Sequence, residues 1–348
     1  MKKFARAVQM HWRLYRHLSG IRHCVFTAVS GRDESYFFDQ GWGNETQLKL
    51  LSDKALTLLP PAPIEILWDS ATSDSNGTHR SGRFESPLPA HLIHSEARKA
   101  WIELHLPHDA NYETPLCVVF AMTGDEGFEY RFRTLSQQLL RIGIGTLLLE
   151  NSYYGQRKPK AQRDFRLQTV SEMLSMSVAS VMEGKALLKH LRDLGYKNLG
   201  VAGVSQGGMV AALVGAQSEF PVAIASSLAA HAPDEVLARG LLSCFVEWNA
   251  LKSADGIDAK DRLRDLFKVG DVTEFAAPQA PRAAYLLGAK KDAVIPRDSI
   301  ARIHDHWPGS QLRWIPGTHV TSIFAHSRAF RRLIRDAFGA LSKEPDLK

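Results

Sequence analysis

Six short apolar segments recur along the chain from residue 116 onward, and longer stretches with helical spacing separate them. These segments lack the polar alternation of a strand that faces water on one side, so they resemble strands buried on both faces. The predicted strands are Leu116–Met122, Gly145–Glu150, Leu199–Val204, Val222–Ser226, Ala283–Gly288 and Leu312–Ile315. The helical patterns fall near residues 132–142, 167–194, 207–217, 297–306 and 324–341. This order predicts an α/β fold with a mostly parallel, doubly wound sheet and helices on both faces.

The first 115 residues follow a different pattern. Residues 48–58 have helical spacing that Pro60 ends, and residues 69–83 are polar, which predicts a loop or a hairpin. Trp101–Leu106 alternates between apolar and polar side chains, so it predicts a half-buried strand that pairs near Phe84. We expect residues 1–68 to form a helical extension packed on the core, and residues 69–348 to form the main domain.

The third predicted strand runs directly into a glycine-rich turn and then into a helical pattern. The turn contains Gly203-x-Ser205-x-Gly207. A strand, a sharp turn of this composition and a helix are typical of the nucleophile elbow of α/β-hydrolases, in which a strained serine projects its hydroxyl above the edge of the sheet. Ser205 is therefore the predicted nucleophile, and a glycine-rich turn without chemistry is the alternative.

A serine hydroxyl is a poor nucleophile at neutral pH, so it needs a base and an anion to orient that base. In α/β-hydrolases the acid and then the histidine follow the serine along the chain. Asp292 lies in the loop after the fifth predicted strand, and His319 is the first histidine after the last one. We predict these two partners, with capping of the next helix as the alternative role for Asp292. His304 and His306 are two apart on a predicted helix and face different sides, which argues against a metal pair.

The tetrahedral intermediate of acyl transfer needs hydrogen-bond donors for its oxyanion. One expected donor is the backbone N–H of Gln206, directly after the nucleophile. The second comes from the loop Thr123-Gly124-Asp125 after the first predicted strand, where Gly124 and Asp125 are equally good candidates. We expect the Asp125 side chain to point away from the site or to hydrogen-bond the loop.

The chain between Ser226 and Ala283 is longer than a connection between a strand and the next strand of such a sheet needs. Within it, Glu235–Phe245 and Asp261–Val269 look helical. We expect residues from about 229 to 278 to form a small cap over the active-site edge and to supply an apolar wall. A packed structural excursion is the alternative.

Composition limits the class of partner. The 348 residues carry a formal net charge of +6 and have no nucleic-acid-binding motif, so we expect no nucleic acid. No metal-binding pattern and no apolar run of transmembrane length occur, and we expect neither a metal nor an organic cofactor. The cysteines are odd in number and far apart, which favours a reducing, cytoplasmic location; they are Cys24, Cys117 and Cys244.

The N-terminus is basic and amphipathic. Apolar residues at helical spacing (Phe4, Val8, Trp12, Tyr15, Leu18) alternate with basic ones that lie mostly on other faces (Lys2, Lys3, Arg6, Arg13, Arg16). Such a helix suits the surface of an anionic membrane or an organelle-targeting segment. A helix packed on the body with a solvated basic face is the other interpretation, and the one we favour.

Several segments beyond the elbow resemble the abhydrolase domain-containing protein eighteen family. They are Phe38 to Gly43, Thr123-Gly-Asp125, Leu148 to Pro159, Gly203 to Gly208, Ala289 to Arg297, Trp307-Pro-Gly309 and His319, and together they span most of the chain. The resemblance implies a serine hydrolase with Ser205, Asp292 and His319 as its triad. Members often have Pro in place of Ser152 and Met in place of Gln206, and neither change touches the triad. The long polar insertion that some members have before the acid strand is absent, so cap-dependent specificity does not carry over.

The run from Glu150 to Lys158 follows the end of a predicted strand, at the edge where open α/β sheets bind ligands. Arg157 and Lys158 are candidates to hold an anionic head group, beside Tyr153 and Tyr154. In the other interpretation the tyrosines pack the loop and the cations pair with acidic side chains. The predicted function is hydrolysis of a small-molecule or lipid carboxylic ester through an acyl-enzyme. Acyl transfer, or a non-catalytic fold that binds a lipid or protein, are the alternatives.

Overall fold

The computed structural model describes residues 36–252 and 256–344, and the strands in these ranges form one ten-stranded sheet. The strands are β1 (Leu67–Trp68), β2 (Thr72–Asp74), β3 (Gly77–Glu85), β4 (Lys99–Leu106), β5 (Leu116–Phe120), β6 (Gly145–Leu149), β7 (Leu199–Val204), β8 (Ala223–Ser227), β9 (Ala284–Ala289) and β10 (Gln311–Ile315). Their spatial order is β1-β3-β4-β6-β5-β7-β8-β9-β10, with β2 paired to β3. The strands β5 to β10 are parallel, and β1 to β4 are antiparallel to their neighbours.

The helices of the described ranges precede the sheet, connect its parallel strands or follow its last strand. They are α1 (Glu45–Leu51), α2 (Lys54–Leu58), α3 (residues 129–140, with a π-helical turn at Phe132–Ser136), α4 (Val170–Asp193), α5 (Gln206–Ala216), α6 (Ala259–Phe267), α7 (Arg297–His306), α8 (His319–Ala325) and α9 (Ser327–Leu341). No helix of the described residues is long and apolar enough to cross a membrane.

Both faces of the parallel strands are buried, because successive side chains of a strand point to opposite faces. Val118 and Ile224 belong to the core that α4, α5 and α7 cover. Val119 and Ala225, one position further along the same strands, belong to the core that α3 and α9 cover. The predicted doubly wound α/β fold is confirmed.

All six predicted parallel strands are present to within two residues at each end. The polar stretch 69–83 contains β2 and most of β3, which form a hairpin, and β3 pairs with β4 so that Phe84 lies opposite Ala100. The helix predicted over residues 48–58 is two helices instead. It is interrupted because the Asp53 side chain accepts a hydrogen bond from the N–H of Ala55 and starts a new helix there.

The long connection between β8 and β9 contains α6 and several tight helical turns. The stretch predicted as one helix, Glu235–Phe245, is a π-helical turn at Glu235–Arg239 and a 3₁₀ turn at Leu241–Phe245. The break falls at Gly240, whose backbone is extended and whose α-carbon lies too close to the Val294 carbonyl for a side chain. The division into an extension and a main domain stays a prediction. The predicted basic helix of residues 4–18 lies outside the described residues.

Candidate active site

Ser205 occupies the tight turn between β7 and α5 with a positive φ of 58° and a ψ of −122°. Such a backbone is strained for any residue with a side chain. The glycines two positions away on each side make the turn possible. A β-carbon on Gly203 would lie 2.1 Å from the Gly207 carbonyl, and one on Gly207 would lie 2.4 Å from the Phe120 carbonyl oxygen. The Ser205 N–H donates to the Ser227 carbonyl at 2.8 Å, which holds the turn against β8.

The three predicted triad residues form one chain of hydrogen bonds. His319 Nε2 lies 3.0 Å from Ser205 Oγ, and His319 Nδ1 lies 2.8 Å from Asp292 Oδ2. The side chains of His319 and Asp292 are only 3% and 5% exposed. Exclusion of water strengthens both contacts, since charges interact more strongly in a less polar surrounding.

Asp292 is oriented by its own loop. Its Oδ1 accepts hydrogen bonds from the N–H groups of Val294 and Ile295, at 3.0 and 2.9 Å, which leaves Oδ2 directed at His319. Pro296, not Asp292, precedes α7 as its cap residue. The alternative role of capping that helix therefore does not apply.

His319 is the first residue of α8, and that position fixes its ring. Thr318 caps the helix, and Thr318 and Thr321 satisfy each other's backbone N–H groups in a capping box. The Lys291 N–H donates to the Gly317 carbonyl at 2.9 Å, so the loop that carries the histidine is joined to the loop that carries Asp292. Two loops that are distant in sequence therefore arrive at the serine together.

Gln206 and Thr123 face each other beside Ser205. Gln206 begins α5, where the first backbone N–H groups of the helix have no partner within it. The Thr123 hydroxyl donates to Gln206 Oε1 at 3.1 Å. Thr123, Ser205 and Gln206 line the same pocket.

The structure places the two other predicted oxyanion donors away from this pocket. The Asp125 N–H donates to the Met122 carbonyl at 3.1 Å, so the prediction that it binds the oxyanion is wrong. The Gly124 amide lies near the hydroxyl of Tyr154 and opposes the rise that burial causes in the pKa of that phenol. Thr123 was part of the predicted loop but was not singled out, because the sequence does not show which residue of a loop lines a pocket.

An apolar pocket of about 60 Å³ adjoins Ser205. Its other walls are Phe37, Met173, Ser177, Met209, Ala230, Pro233, Val236, Leu237, Leu242 and Ile295. Half of these residues come from the segment 229–278 between β8 and β9. Apolar walls with a few polar groups at one end are typical of a site that holds the hydrocarbon part of a ligand. Sequence periodicity indicated only that Met173 and Met209 are on helices, not that they face this pocket.

The run after β6 is packed inward instead of facing a ligand. Arg157 is fully buried, and its guanidinium donates to both carboxylate oxygens of Glu183 at 2.8 and 2.6 Å. The prediction that Arg157 holds an anionic head group is wrong, because a buried acidic partner occupies its donors. Tyr153 and Tyr154 are 2% and 0% exposed and pack in the loop, and Lys158 forms an ion pair with a neighbouring glutamate.

Within residues 36–252 and 256–344, no three His, Cys, Asp or Glu side chains come together in a way that suits a metal ion.

A parallel sheet with a strained serine between a central strand and its following helix defines the α/β-hydrolase fold. Solved structures with the same fold include an acetyl xylan esterase from a Paenibacillus species, with 16% identity, a TM-score of 0.60, and coverage of 86% of this chain and 97% of that chain. Acetyl Xylan Esterase 1 from a Thermoanaerobacterium species is similar at 12% identity and a TM-score of 0.56, covering 88% of this chain and 96% of that one. Est1E from Butyrivibrio proteoclasticus is similar at 17% identity and a TM-score of 0.50, covering 71% and 98%.

The family follows from a match along most of the sequence. The chain belongs to the family described as Alpha/beta hydrolase domain containing 18, which matches residues 35–266 and 257–340. The resemblance to that family predicted from the sequence is confirmed.

Proposed function

We propose that this protein is a serine hydrolase that cleaves a carboxylic ester. The observation that carries the proposal is the hydrogen-bonded chain Ser205–His319–Asp292, which begins at the wall of an apolar pocket. Two proteins of similar fold are named acetyl xylan esterases, so the fold accommodates ester cleavage.

In the first half of the reaction, Ser205 Oγ attacks the ester carbonyl carbon and His319 Nε2 accepts the hydroxyl proton. Asp292 holds the Nδ1–H of His319 at 2.8 Å, which leaves Nε2 free to accept and stabilises the imidazolium that forms. The carbonyl oxygen becomes an oxyanion that accepts hydrogen bonds from the backbone N–H groups of Gln206 and Thr123.

In the second half, His319 returns its proton to the leaving alkoxide and the C–O bond breaks, which leaves the acyl group on Ser205. Water then attacks the acyl carbon, and His319 takes its proton. The collapse of the second tetrahedral intermediate releases the carboxylic acid, and the proton returns from His319 to Ser205 Oγ. No cofactor enters this sequence of steps.

The pocket favours an acyl group that is short and apolar. A volume of about 60 Å³ holds only a few water-sized groups, and no charged side chain lines it among the described residues. We therefore expect a short acyl chain to enter the pocket and the alcohol part, of a small molecule or a lipid, to point outward.

Labelling with a fluorophosphonate and turnover of p-nitrophenyl esters of graded chain length test the proposal together. The wild type should be labelled at Ser205 and should hydrolyse short esters. Ser205→Ala should lose both, and Asp292→Asn should lower kcat by about 10⁴ because it favours the wrong imidazole tautomer. Absence of an adduct on folded protein would favour a non-catalytic binding function. An adduct with acyl transfer to an added alcohol in place of hydrolysis would favour an acyltransferase.

A further inference from the structure

The loop of residues 123–127 presents Thr123 to the pocket, and the rest of this loop is tied to buried charged groups. Arg131 Nε lies 2.8 Å from Asp125 Oδ2, and both side chains are only 3% exposed. Burial raises the pKa of Asp125, and the Arg131 charge opposes that rise. An ion pair buried to this degree holds its partners in a defined geometry, because removing either one leaves an uncompensated charge.

The same guanidinium joins the loop to two strands. Arg131 donates to the carbonyl oxygens of Val119 and Leu149, at 3.0 and 2.7 Å, which lie near the ends of β5 and β6. It also donates to the Gly127 carbonyl at 2.8 Å. One side chain therefore holds the middle and the end of the loop against the two strands.

Glu150 supports the loop from the other side. It is fully buried, its Oε1 accepts the N–H of Gly127 at 2.8 Å, and its Oε2 accepts the N–H of Gln156 at 3.1 Å. Burial raises the pKa of Glu150, and these two N–H groups oppose the rise. A β-carbon on Gly155 would lie 1.7 Å from Glu150 Oε1, so the glycine there makes room for the carboxylate.

Two outer contacts complete the support. Lys158 forms an ion pair with Glu126 of the loop, and Asn151 Nδ2 donates to the Ala121 carbonyl at 3.3 Å. The run of residues 150–158, which the sequence suggested as a binding site for substrate, therefore contacts the loop beside Ser205.

We propose that Glu150 is a positioning residue that, together with the Asp125–Arg131 pair, fixes the loop of residues 123–127 so that the Thr123 N–H points at the developing oxyanion. This inference rests on the proposed ester hydrolysis. Donors that are already aimed at the site of negative charge act without a reorganisation cost during the reaction. A displacement of about 1 Å in such a group costs roughly 10²-fold in rate.

Glu150→Gln tests this with little change of shape. The amide NH₂ of glutamine cannot accept a hydrogen bond, so one of the two backbone N–H groups loses its acceptor. We expect kcat on a short p-nitrophenyl ester to fall by roughly 10- to 100-fold with KM nearly unchanged. The Ki of an alkylboronic acid, which forms a tetrahedral adduct with the serine, should rise in parallel. The control is Glu172→Gln, since Glu172 also accepts two backbone N–H groups, from Gln168 and Thr169, but at the start of α4. It should leave kcat and Ki unchanged.

Several results would overturn the inference. If the wild type is active and Glu150→Gln has the same kcat and the same Ki as the wild type, the inference is refuted and the proposed function stays intact. Equal losses in Glu150→Gln and Glu172→Gln would show a general structural role instead. If Glu150→Gln does not fold, Glu126→Gln loosens the same loop at a partly exposed pair; a several-fold fall in kcat supports the inference and an unchanged kcat refutes it. An inactive, unlabelled wild type would refute the proposed function, and this inference with it.

Discussion

Leu237→Ala should change the length of acyl chain that the protein prefers. Leu237 belongs to the π-helical turn between β8 and β9, lines the pocket beside Ser205, and is 5% exposed. Its side chain therefore occupies space that a longer acyl group needs. Truncation extends the pocket without changing any polar group that the proposed mechanism uses.

The size of the effect follows from the carbon atoms removed. Alanine lacks about three of the carbons of leucine, so about three further methylene groups of an acyl chain fit in their place. Each methylene moved from water into an apolar site contributes about 0.8 kcal/mol, so three contribute roughly 2.4 kcal/mol. The ratio of kcat/KM for octanoyl to pentanoyl esters should then rise roughly 60-fold.

The assay is kcat/KM on p-nitrophenyl esters from acetate to decanoate. Leu263→Ala is the matched control, because Leu263 is buried in the same hydrophobic cluster but does not line the pocket. Both variants should lose about 2–5 kcal/mol of unfolding free energy, and only Leu237→Ala should shift the chain-length profile. Unchanged profiles in both variants, or equal shifts in both, would refute the assignment of this pocket to the acyl group.

Three further predictions concern other parts of the molecule. Thr123→Val and Gln206→Met should each lower kcat/KM, and the double variant should lose about 1 kcal/mol less than the sum, because both single changes break one hydrogen bond. Burial lowers the pKa of His231 below its ordinary 6.5, so the unfolded chain binds this proton more readily. Stability should therefore fall as the pH drops below about 6.5 toward the lowered pKa, and less steeply in His231→Gln. Gly339→Ala in α9 should raise the unfolding free energy by about 0.5–1 kcal/mol, since a β-carbon there meets nothing within 4 Å. Gly207→Ala should lower it, since its β-carbon meets a strand carbonyl.

Different measurements check these three predictions. Strictly additive kinetic losses would contradict the coupling between Thr123 and Gln206. Parallel curves of denaturant stability against pH for the wild type and His231→Gln would contradict a role for that histidine. Denaturant unfolding that ranks Gly207→Ala above Gly339→Ala would contradict the packing of both glycines.

Local patterns in the sequence were sufficient for the six parallel strands and for the turn at Ser205. Strands buried on both faces are continuous apolar runs, and the turn at Ser205 requires glycines two positions away on each side because a β-carbon there would clash with neighbouring backbone atoms. The order of Ser205, Asp292 and His319 along the chain, each after a predicted strand, indicated which acid and which histidine arrive at one edge. These signals depend only on neighbouring residues and on the connectivity of a parallel sheet.

Only the tertiary structure decided what the charged residues near the site do. A charged side chain after a strand looks the same in sequence whether it faces a ligand or a buried partner of opposite charge. Arg157 meets Glu183, and Asp125 meets Arg131, so both are internal. Burying an unpaired charge is costly, so a buried charged side chain needs a partner of opposite charge. That partner lies on a different element of the fold, where the local sequence does not reveal it. The sequence also left the second oxyanion donor open between Gly124 and Asp125, and the structure shows the Asp125 N–H bonded to the Met122 carbonyl of its own loop.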